Sequence, residues 1–378
     1  MKNLLIINPG STSTKLAVWT GYEQVFFKEF KVDSAAIKHL DYMVDQLPLR
    51  LESVEEFFKE SPIKLDQIDY IVSRGGSLFG LKCGAYKVSE HLVTIATNAP
   101  RSQHISSLGC VIAHHLSQQY GIPAIIYDAI ASHDADDRTK LTGIPQIKRW
   151  LSSHVLNSKF VARQVAEKIG KSYDTANIIV AHLGGGITIN YHSKGKIVDT
   201  VTDDEGPFSP QRSGRIPCQQ LIRMCFSGKY TEKEMVKMIR GNGGLVAYLG
   251  VQDARDVEKM ILEGNQLAKD LYEVMAYSVA KGIAELSVID NGNIDAIIIT
   301  GGIAHSKMFT DMIVDRVKFL AEVHIVPGEM EMQALAYGGM RVIEGKEIAQ
   351  DYNWLPSNCS SLEDVRRLYG KGCTCENE

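Results

Sequence analysis

The sequence lacks long apolar runs and any strong excess of charge of one sign. No window reaches the roughly 18 apolar residues of a membrane span. The first apolar run, Leu4–Ile7, is broken by Asn-Pro-Gly, whereas an export signal needs about 7–15 apolar residues. The 41 basic and 45 acidic residues leave a net charge of −4, which disfavours nucleic acid or an anionic membrane. We therefore expect neither a nucleic acid nor a membrane as partner.

The sequence also lacks cysteines spaced for disulfides or a metal site. The seven cysteines are scattered, and the one close pair, Cys373 and Cys375, has the wrong spacing for a thioredoxin or zinc motif. Apolar residues make up 44% and charged residues 23%, which is typical of a globular protein and excludes a disordered or fibrous chain. We expect a reduced cytoplasmic enzyme, and 378 residues are enough for two domains.

What the sequence does contain is an internal repeat. Each half opens with a short apolar run, a glycine-bearing turn and a returning apolar run, and two further apolar runs follow in both halves. Three matches in the same order are much less probable by chance than one. The matched segments are 4–19 with 177–191, 68–76 with 294–302, and 122–128 with 322–329.

Helical patterns lie between these runs. Apolar residues recur at helix spacing from Ile105 to Leu116 and stop at Gly121, and a longer amphipathic pattern covers residues 266–288. Apolar runs that alternate with helices indicate largely parallel strands covered on both faces. We predict an α/β protein with two domains of like topology and a cleft between them. The predicted domains are 1–150, completed by 332–378, and 151–331.

The two glycine turns are suited to holding a phosphate chain. Backbone N–H groups that face one concavity bind phosphate oxygens, and nearby Ser, Thr and Lys side chains add donors. A single turn of this kind is as easily explained as a tight hairpin, but two at matching places favour phosphate binding. The predicted residues are Gly10, Ser11, Ser13 and Lys15 in the first turn, and Gly184, Gly185 and Gly186 in the second.

Together these motifs resemble the superfamily of acetate and sugar kinases, heat-shock chaperones and actin. Within it, residues 7–15, 182–186, 206–214, 300–303 and 327–329 resemble the butyrate kinases, an acetate kinase-like family. The resemblance implies duplicated ribonuclease H-like (actin-like) domains with a nucleotide cleft. It also implies phosphoryl transfer from ATP to a short-chain carboxylate with Mg²⁺, and we expect a homo-oligomer. In this superfamily the turn of Gly301, Gly302 and Ile303 lies against the adenosine.

The implied reaction sets the demands on the site. The attacking carboxylate titrates near ~4.3, as a Glu side chain does, and is ionised at neutral pH, so no general base is needed. The difficulty is that two anions must meet. Each pair of unit charges repels by about 4 kcal/mol at ~4 Å for an effective dielectric of ~20. Cations, hydrogen-bond donors and Mg²⁺ should therefore surround the reacting groups.

Five basic side chains are candidates for this role. His104, His182 and Arg212 fall on segments that carry the catalytic histidine and substrate-binding arginine of acetate kinases. Arg74 follows an apolar run directly, where ligands usually bind. It is a looser match, because acetate kinases place an arginine slightly earlier and a histidine here. With His154 and one carboxylate, the predicted catalytic residues are Arg74, His104, Asp128, His154, His182 and Arg212.

Candidate metal ligands are oxygen-bearing side chains at the ends of apolar runs, which suit Mg²⁺. Asp128 ends such a run, where an unpaired carboxylate is hard to explain structurally. Glu329 and Glu331 follow the matching run; the resemblance implies one metal-linked glutamate there, and the choice stays open. Asn8 is expected to meet the metal or its water and to belong to the nucleotide site. The acidic run 203–205 is instead predicted to be a solvated loop.

Three positions bear on which acid is used. The residues that line the methyl pocket of acetate kinases are bulky and apolar, and the matching positions here are Ser73, Gln103 and Ser153. Smaller or less apolar walls favour butanoate, with apolar contacts supplied by Phe208 or Ile105. Kinases of acetate, propionate or branched acids remain alternatives.

Two other classes of function also remain. A sugar kinase would need a general base, and Asp128 could serve. An actin-like or chaperone-like switch would hydrolyse ATP slowly and act through a partner protein, although the basic cluster would then be surplus.

Overall fold

The computed structural model describes residues 1–38, 40, 42–98 and 104–370. Among these residues, no helix combines the length and apolar character that a membrane span requires. The strands are β1 Asn3–Pro9, β2 Ser13–Thr20, β3 Glu23–Lys31, β4 Tyr70–Arg74, β5 Ala85–Lys87, β6 Ala124–Tyr127, β7 Asn177–Leu183, β8 Ile187–Ser193, β9 Lys196–Val201, β10 Ala296–Gly301 and β11 Val323–Pro327. The α-helices are α1 Ser34–Ile37, α2 Leu47–Glu60, α3 Glu90–Asn98, α4 Leu108–Tyr120, α5 Val155–Lys168, α6 Cys218–Cys225, α7 Glu232–Ile239, α8 Leu245–Leu249, α9 Ala254–Leu262, α10 Gln266–Leu286, α11 Lys307–Val317, α12 Glu331–Ile343 and α13 Leu362–Tyr369.

The chain divides into two compact units. The first comprises Met1–Ser132 and Met330–Glu378, and the second comprises His133–Glu329. The division falls after Ser132 rather than near residue 150, because the intervening segment is bonded to the second unit. The Asp134 amide donates to the Ile197 carbonyl at 3.0 Å, and the Arg149 guanidinium lies 2.6 Å from the Glu205 carboxylate.

Each unit contains one mixed sheet, and five strands follow the same order in both sheets, with β5 added at one edge of the first. The first runs β3-β2-β1-β4-β6-β5, and the second, read from its other edge, runs β9-β8-β7-β10-β11. The predicted repeat is therefore confirmed. The expectation of largely parallel strands is wrong, because the tight glycine turns force antiparallel pairing of β1 with β2 and of β7 with β8. Among the strands of the described residues, parallel pairing joins β1-β4-β6 and β7-β10-β11.

Helices cover both faces of the first sheet at very close range. A Cβ atom on Gly109 of α4 would lie 2.4 Å from Ser73 Oγ, and one on Gly339 of α12 would lie 2.5 Å from Val72 Cγ2. Successive residues of a strand point to opposite faces, so α4 and α12 pack on opposite sides of β4. This two-sided cover explains the uninterrupted buried apolar runs Leu4–Ile7 in β1 and Ala124–Tyr127 in β6.

The predicted helices are present near their expected positions. The pattern at 105–116 corresponds to α4, which ends directly before Gly121, and the long amphipathic pattern corresponds to α10. In the second unit α5 and α10 both pack against β7 and β8. Beyond α12, the chain stays on the first unit, where Tyr352 and Val365 are buried in the core.

Candidate active site

The turn between β1 and β2 has the form predicted for a phosphate-binding hairpin. The Gly10 amide donates to the Ser13 carbonyl at 2.7 Å and closes the turn. Ser11 and Thr12 are exposed at its tip. In the described part of the chain, their amides donate to no protein acceptor. The tip therefore offers two backbone donors to an anion.

Two other side chains of this hairpin have different surroundings. Ser13 Oγ donates to Glu29 Oε1 at 2.6 Å, so its hydroxyl is held by β3. Lys15 pairs with Asn8 in the register of β1 and β2 and is half-buried. Paired residues of neighbouring strands project from the same face, so Lys15 stands beside Asn8.

The carboxyl ends of β1 and β4 bring three predicted residues into one network. Because β1 and β4 are neighbouring parallel strands, Asn8 and Arg74 emerge at the same edge of the sheet. Glu331, the first residue of α12, accepts from Arg74 Nη1 at 3.0 Å and lies 2.9 Å from Arg74 Nη2. Its Oε2 atom also accepts from Asn8 Nδ2 at 2.8 Å. The ion pair is largely buried, with 18% and 14% of the two side chains exposed.

Asp128 lies at the same sheet edge in an uncommon backbone conformation. It directly follows Tyr127, which is in register with Arg74. Its φ is 43°, a value that few non-glycine residues adopt and that often occurs at functional sites. The Asp128 amide donates to the Gly84 carbonyl at 3.0 Å, and Asp128 Oδ1 accepts from the Gly84 amide at 2.8 Å. These two bonds hold the buried carboxylate in place.

His104 lies at the start of the turn that leads into α4. Its side chain is exposed, and its Nδ1 lies 2.6 Å from Ser106 Oγ. Nδ1 also accepts from the Ser106 amide at 3.2 Å, so the ring is oriented by the turn that it precedes.

In the second unit, two predicted histidines stack on each other. The rings of His154 and His182 lie 3.8 Å apart at 8°. His154 Nδ1 lies 2.8 Å from Thr188 Oγ1. His182 Nε2 is buried without a hydrogen-bond partner among the described residues and lies 3.7 Å from Glu329 Oε1. Within the described residues, the charged neighbour of His182 Nε2 is thus the Glu329 carboxylate.

Asn157, which the sequence did not single out, orients His182. Its Nδ2 lies 3.1 Å from His182 Nδ1 and 3.2 Å from Thr300 Oγ1, and both contacts are buried. The Thr300 hydroxyl donates to the Gly328 carbonyl at 3.3 Å, so its oxygen accepts from the Asn157 amide. The amide group therefore faces His182 with its donor, which leaves the imidazole proton on Nε2.

Arg212 is fixed by an acid that the sequence placed in a solvated loop. Asp203 is buried, and its Oδ2 accepts from Arg212 Nε at 3.0 Å and from Arg240 Nη2 at 2.8 Å. The expectation of a solvated loop is therefore wrong for Asp203. Its carboxylate is drawn in because it neutralises two guanidinium groups.

The loop that carries Arg212 is also tied to the second glycine turn. The Gly185 carbonyl accepts from Ser209 Oγ at 2.6 Å and from the Gln211 amide at 3.1 Å. Gly186 lies against Asp203, with an added Cβ atom only 3.0 Å from its carboxylate. These contacts hold the glycine turn and the arginine loop together.

A cavity of about 670 Å³ in the second unit is of the size that a nucleoside requires. Gly301 directly precedes the lining residue Gly302 and admits no side chain, because its φ is 91° and an added Cβ atom would lie 2.4 Å from the Leu183 carbonyl oxygen. The cavity thus unites the second phosphate turn with the turn expected to meet adenosine. Its lining includes Gly184, Gly185, Gly302, Ile303, Ser306 and Glu329.

The oxygen donors of the first unit suit Mg²⁺. Asn8 Oδ1 is buried without a hydrogen-bond partner among the described residues, and the Glu331 carboxylate contacts the same side chain. No group of three or more His, Cys, Asp or Glu in the described chain could hold a metal alone. Mg²⁺ usually takes one or two protein carboxylates together with phosphates and water. Glu329 belongs to the other unit and lines the cavity.

The positions expected to set acid size lie in separate surroundings. Ser73 is buried against Gly109, so α4 fills the space beside it. Ser153 is also buried. Ile105 and Phe208 are half-buried against the cores of the first and second units. Gln103 lies outside the described residues.

Comparison with known proteins gives consistent matches. The model of the Acetokinase family matches residues 143–346. The chain is 41% identical over 351 residues to butyrate kinase 2 of Clostridium acetobutylicum, covering 92% of this chain and 99% of that one. It is 39% identical over 354 residues to butyrate kinase 1 of the same organism, covering 93% and 100%.

Solved structures show the same fold at low sequence identity. Porphyromonas gingivalis acetate kinase has a TM-score of 0.75 at 16% identity, covering 91% of this chain and 100% of that one. A propionate kinase from Francisella tularensis has a TM-score of 0.69 at 19% identity, covering 89% and 98%.

Proposed function

This chain belongs to the Acetokinase family, and from that premise we propose that it phosphorylates butanoate. One carboxylate oxygen of butanoate attacks the γ-phosphorus of ATP in line. The bond from that phosphorus to the β,γ-bridging oxygen breaks, and butanoyl phosphate and ADP leave. Full-length similarity to two butyrate kinases is the observation that carries this choice of acid.

The basic residues act on charge rather than on a proton. Butanoate is already ionised at neutral pH, so no residue needs to remove a proton. Arg74 and Arg212 are each anchored by a carboxylate and can each present a guanidinium in a fixed orientation. His182 adds an Nε2–H donor. Groups held ready in this way stabilise charge that develops in the transition state.

We assign the remaining predicted residues by their surroundings. The turns at Gly10–Ser13 and Gly184–Gly186 bind phosphates, and Gly301–Ile303 lies against the adenosine. His104 and His154 act with Arg74, Arg212 and His182 on the charge of the reacting groups. Asn8 and Glu331 are the favoured magnesium ligands of the first unit, with Asp128 at the same sheet edge as a further candidate and Glu329 as the alternative. Bound Mg²⁺ would neutralise phosphate charge during transfer.

We also propose that the protein forms a homo-oligomer through α6 and α7. Both helices are amphipathic, yet Ile222, Phe226 and Val236 are 54%, 87% and 55% exposed. Large apolar side chains exposed to this extent are typical of association surfaces, and a symmetric pair of chains would cover these residues on both partners. Light scattering should give a mass above the 41.8 kDa of one chain, and a single-chain mass would contradict the proposal.

Hydroxylamine trapping tests the proposed reaction directly. The protein is incubated with ATP, Mg²⁺ and each of the linear and branched acids from two to six carbons. We expect a hydroxamate that requires both ATP and acid, with butanoate best. No hydroxamate from any acid would reject the reaction. Slow ATP hydrolysis unaffected by acids would indicate a switch protein, and ADP release with hexoses would indicate a sugar kinase.

A further inference from the structure

Arg50 is a fully buried arginine directly beneath the first hairpin. It lies on α2 with none of its surface exposed. Nη1 donates to the Ser13 carbonyl at 3.0 Å and to Thr14 Oγ1 at 2.7 Å. Nη2 donates to the Gly10 carbonyl at 3.0 Å and to Gln46 Oε1 at 2.8 Å. Three of its four bonds thus go to the hairpin.

The charge of this guanidinium is not neutralised by an acid. All four acceptors are neutral, and Nε has no hydrogen-bond partner. Burial lowers the pKa of Arg50 to about 10, so the group still carries its charge at neutral pH. Buried arginines are normally paired with a carboxylate. Among the described residues, Arg50 hydrogen-bonds to none.

The same bonds determine how the hairpin presents its backbone. Arg50 draws the carbonyls of Gly10 and Ser13 inward, away from the exposed tip. The amides of Ser11 and Thr12 remain at the tip without protein acceptors in the described chain. Carbonyl oxygens at the tip would repel an anion, whereas amide groups and a cation behind them attract it.

We propose that Arg50 is a positioning residue of the first hairpin, and that the phosphate chain of the nucleotide supplies its missing counter-charge. The inference rests on the proposed function in naming the nucleotide as the source of phosphate. Arg50 itself does not contact the ligand, because its side chain is wholly buried. Its effect is carried by the backbone that it holds and by its field in a medium of low dielectric.

Binding measurements on matched variants test the proposal. Arg50→Met keeps the bulk and removes the charge, and Arg50→Lys keeps the charge and removes the planar fork. Lys28→Met is the control, because the Lys28 side chain also contacts α2, through Glu56 at 3.0 Å and Glu60 at 2.7 Å, while its backbone pairs with Leu16 in β2 rather than with the turn at Gly10–Ser13. Calorimetry gives the dissociation constants of ATP, ADP, pyrophosphate and adenosine for each protein.

We expect Arg50→Met to weaken ATP and pyrophosphate binding by about tenfold or more. Arg50→Lys should lose less, and Lys28→Met should match the wild type. Adenosine carries no phosphate, so its affinity should not change. A purely structural role would instead weaken adenosine binding as well, or weaken none of the four ligands.

Two outcomes would overturn the proposal: unchanged pyrophosphate affinity in Arg50→Met, or an equal loss for adenosine. Should Arg50→Met not fold by circular dichroism, the comparison is made with Arg50→Lys. A loss confined to phosphate-bearing ligands would then support the proposal, and wild-type affinities would contradict it. If Arg50→Met loses affinity only for phosphate-bearing ligands and the wild type forms no acyl phosphate, the proposed function alone is refuted.

Discussion

Replacing Asn157 by Asp should abolish most of the activity while leaving the shape of the side chain almost unchanged. In the wild type, the Asn157 amide donates to His182 Nδ1 and leaves the proton on Nε2. A carboxylate at this position accepts rather than donates, so the neutral ring would move its proton to Nδ1. His182 Nε2 would then face the ligand as an acceptor and would repel a phosphoryl oxygen.

The expected size of the effect follows from the number of groups changed. One preorganised donor to transition-state charge is lost, and such a loss lowers kcat by about 10²–10³. One of the two bonds of Thr300 is lost as well, because its single hydroxyl proton cannot reach both the Gly328 carbonyl and the new carboxylate. A neutral hydrogen bond is worth about 1 kcal/mol, so we expect the free energy of unfolding to fall by ~1–2 kcal/mol. The protein should remain folded.

Two measurements separate this role from simple destabilisation. The hydroxamate assay gives kcat for butanoate, and nitrogen-15 NMR of labelled histidine identifies the tautomer of His182, assigned with His182→Gln. Asn190→Asp is the matched control, because Asn190 is equally buried in β8 and its Oδ1 accepts from the Thr200 hydroxyl. The control should lose stability and keep the Nε2–H signal of His182.

The reasoning is refuted if wild-type His182 carries its proton on Nδ1. It also fails if Asn157→Asp shifts the tautomer and kcat stays within about threefold of the wild type, since one lost donor should cost far more. The NMR result does not depend on the reaction, so it tests the geometry even if the acid proves to be another.

Three further predictions follow from other parts of the molecule. Arg212→Ala should lower kcat by about 10²–10³ and leave ATP affinity nearly unchanged. The control Arg215→Ala, which removes an exposed ion pair with Glu285, should change neither quantity. An unchanged kcat in Arg212→Ala would exclude Arg212 from the mechanism. Butanoate should exceed acetate in kcat/KM by roughly fifteenfold, because each of two buried methylenes contributes about 0.8 kcal/mol, and equal values would refute this. Burial lowers the pKa of His192 to about 3, so its neutral form should stabilise the fold above the ordinary histidine pKa of ~6.5 and lose that effect as pH falls towards 3. The melting temperature of His192→Gln should therefore depend less on pH than that of the wild type, and identical curves would contradict the prediction.

The repeat could be predicted from sequence because its signals are local. Glycine turns between short apolar runs specify hairpins, and the order of such runs specifies the order of strands. The fraction of strand pairs that are parallel was overestimated, since a buried apolar run does not reveal the direction of the neighbouring strand. The boundary near residue 150 was placed by composition, whereas the segment before it is held by Arg149 and its pairs with Asp199 and Glu205.

The partners of the site residues could not be predicted because they are distant in sequence or because their local sequence is typical of exposed residues. Glu331 and Arg74 are separated by 257 residues, and no local pattern links them. Asp203 stands in an acidic run of the kind that is usually solvated. Arg50 lies in an amphipathic helix, where an arginine ordinarily belongs to the exposed face. Only the fold reveals that its guanidinium is buried under a turn.

The charge balance around three arginines separates what each can contribute. Arg74 and Arg212 each contact a carboxylate, which fixes the guanidinium but cancels much of its long-range field. Such groups act mainly at hydrogen-bond range, on charge that develops during the reaction. Arg50 contacts only neutral acceptors and is sealed from solvent, so its field is neither paired nor screened. A field of that kind acts on any phosphate at the hairpin, before and during transfer. Loss of Arg50 should therefore appear in ligand affinity, and loss of Arg212 in turnover.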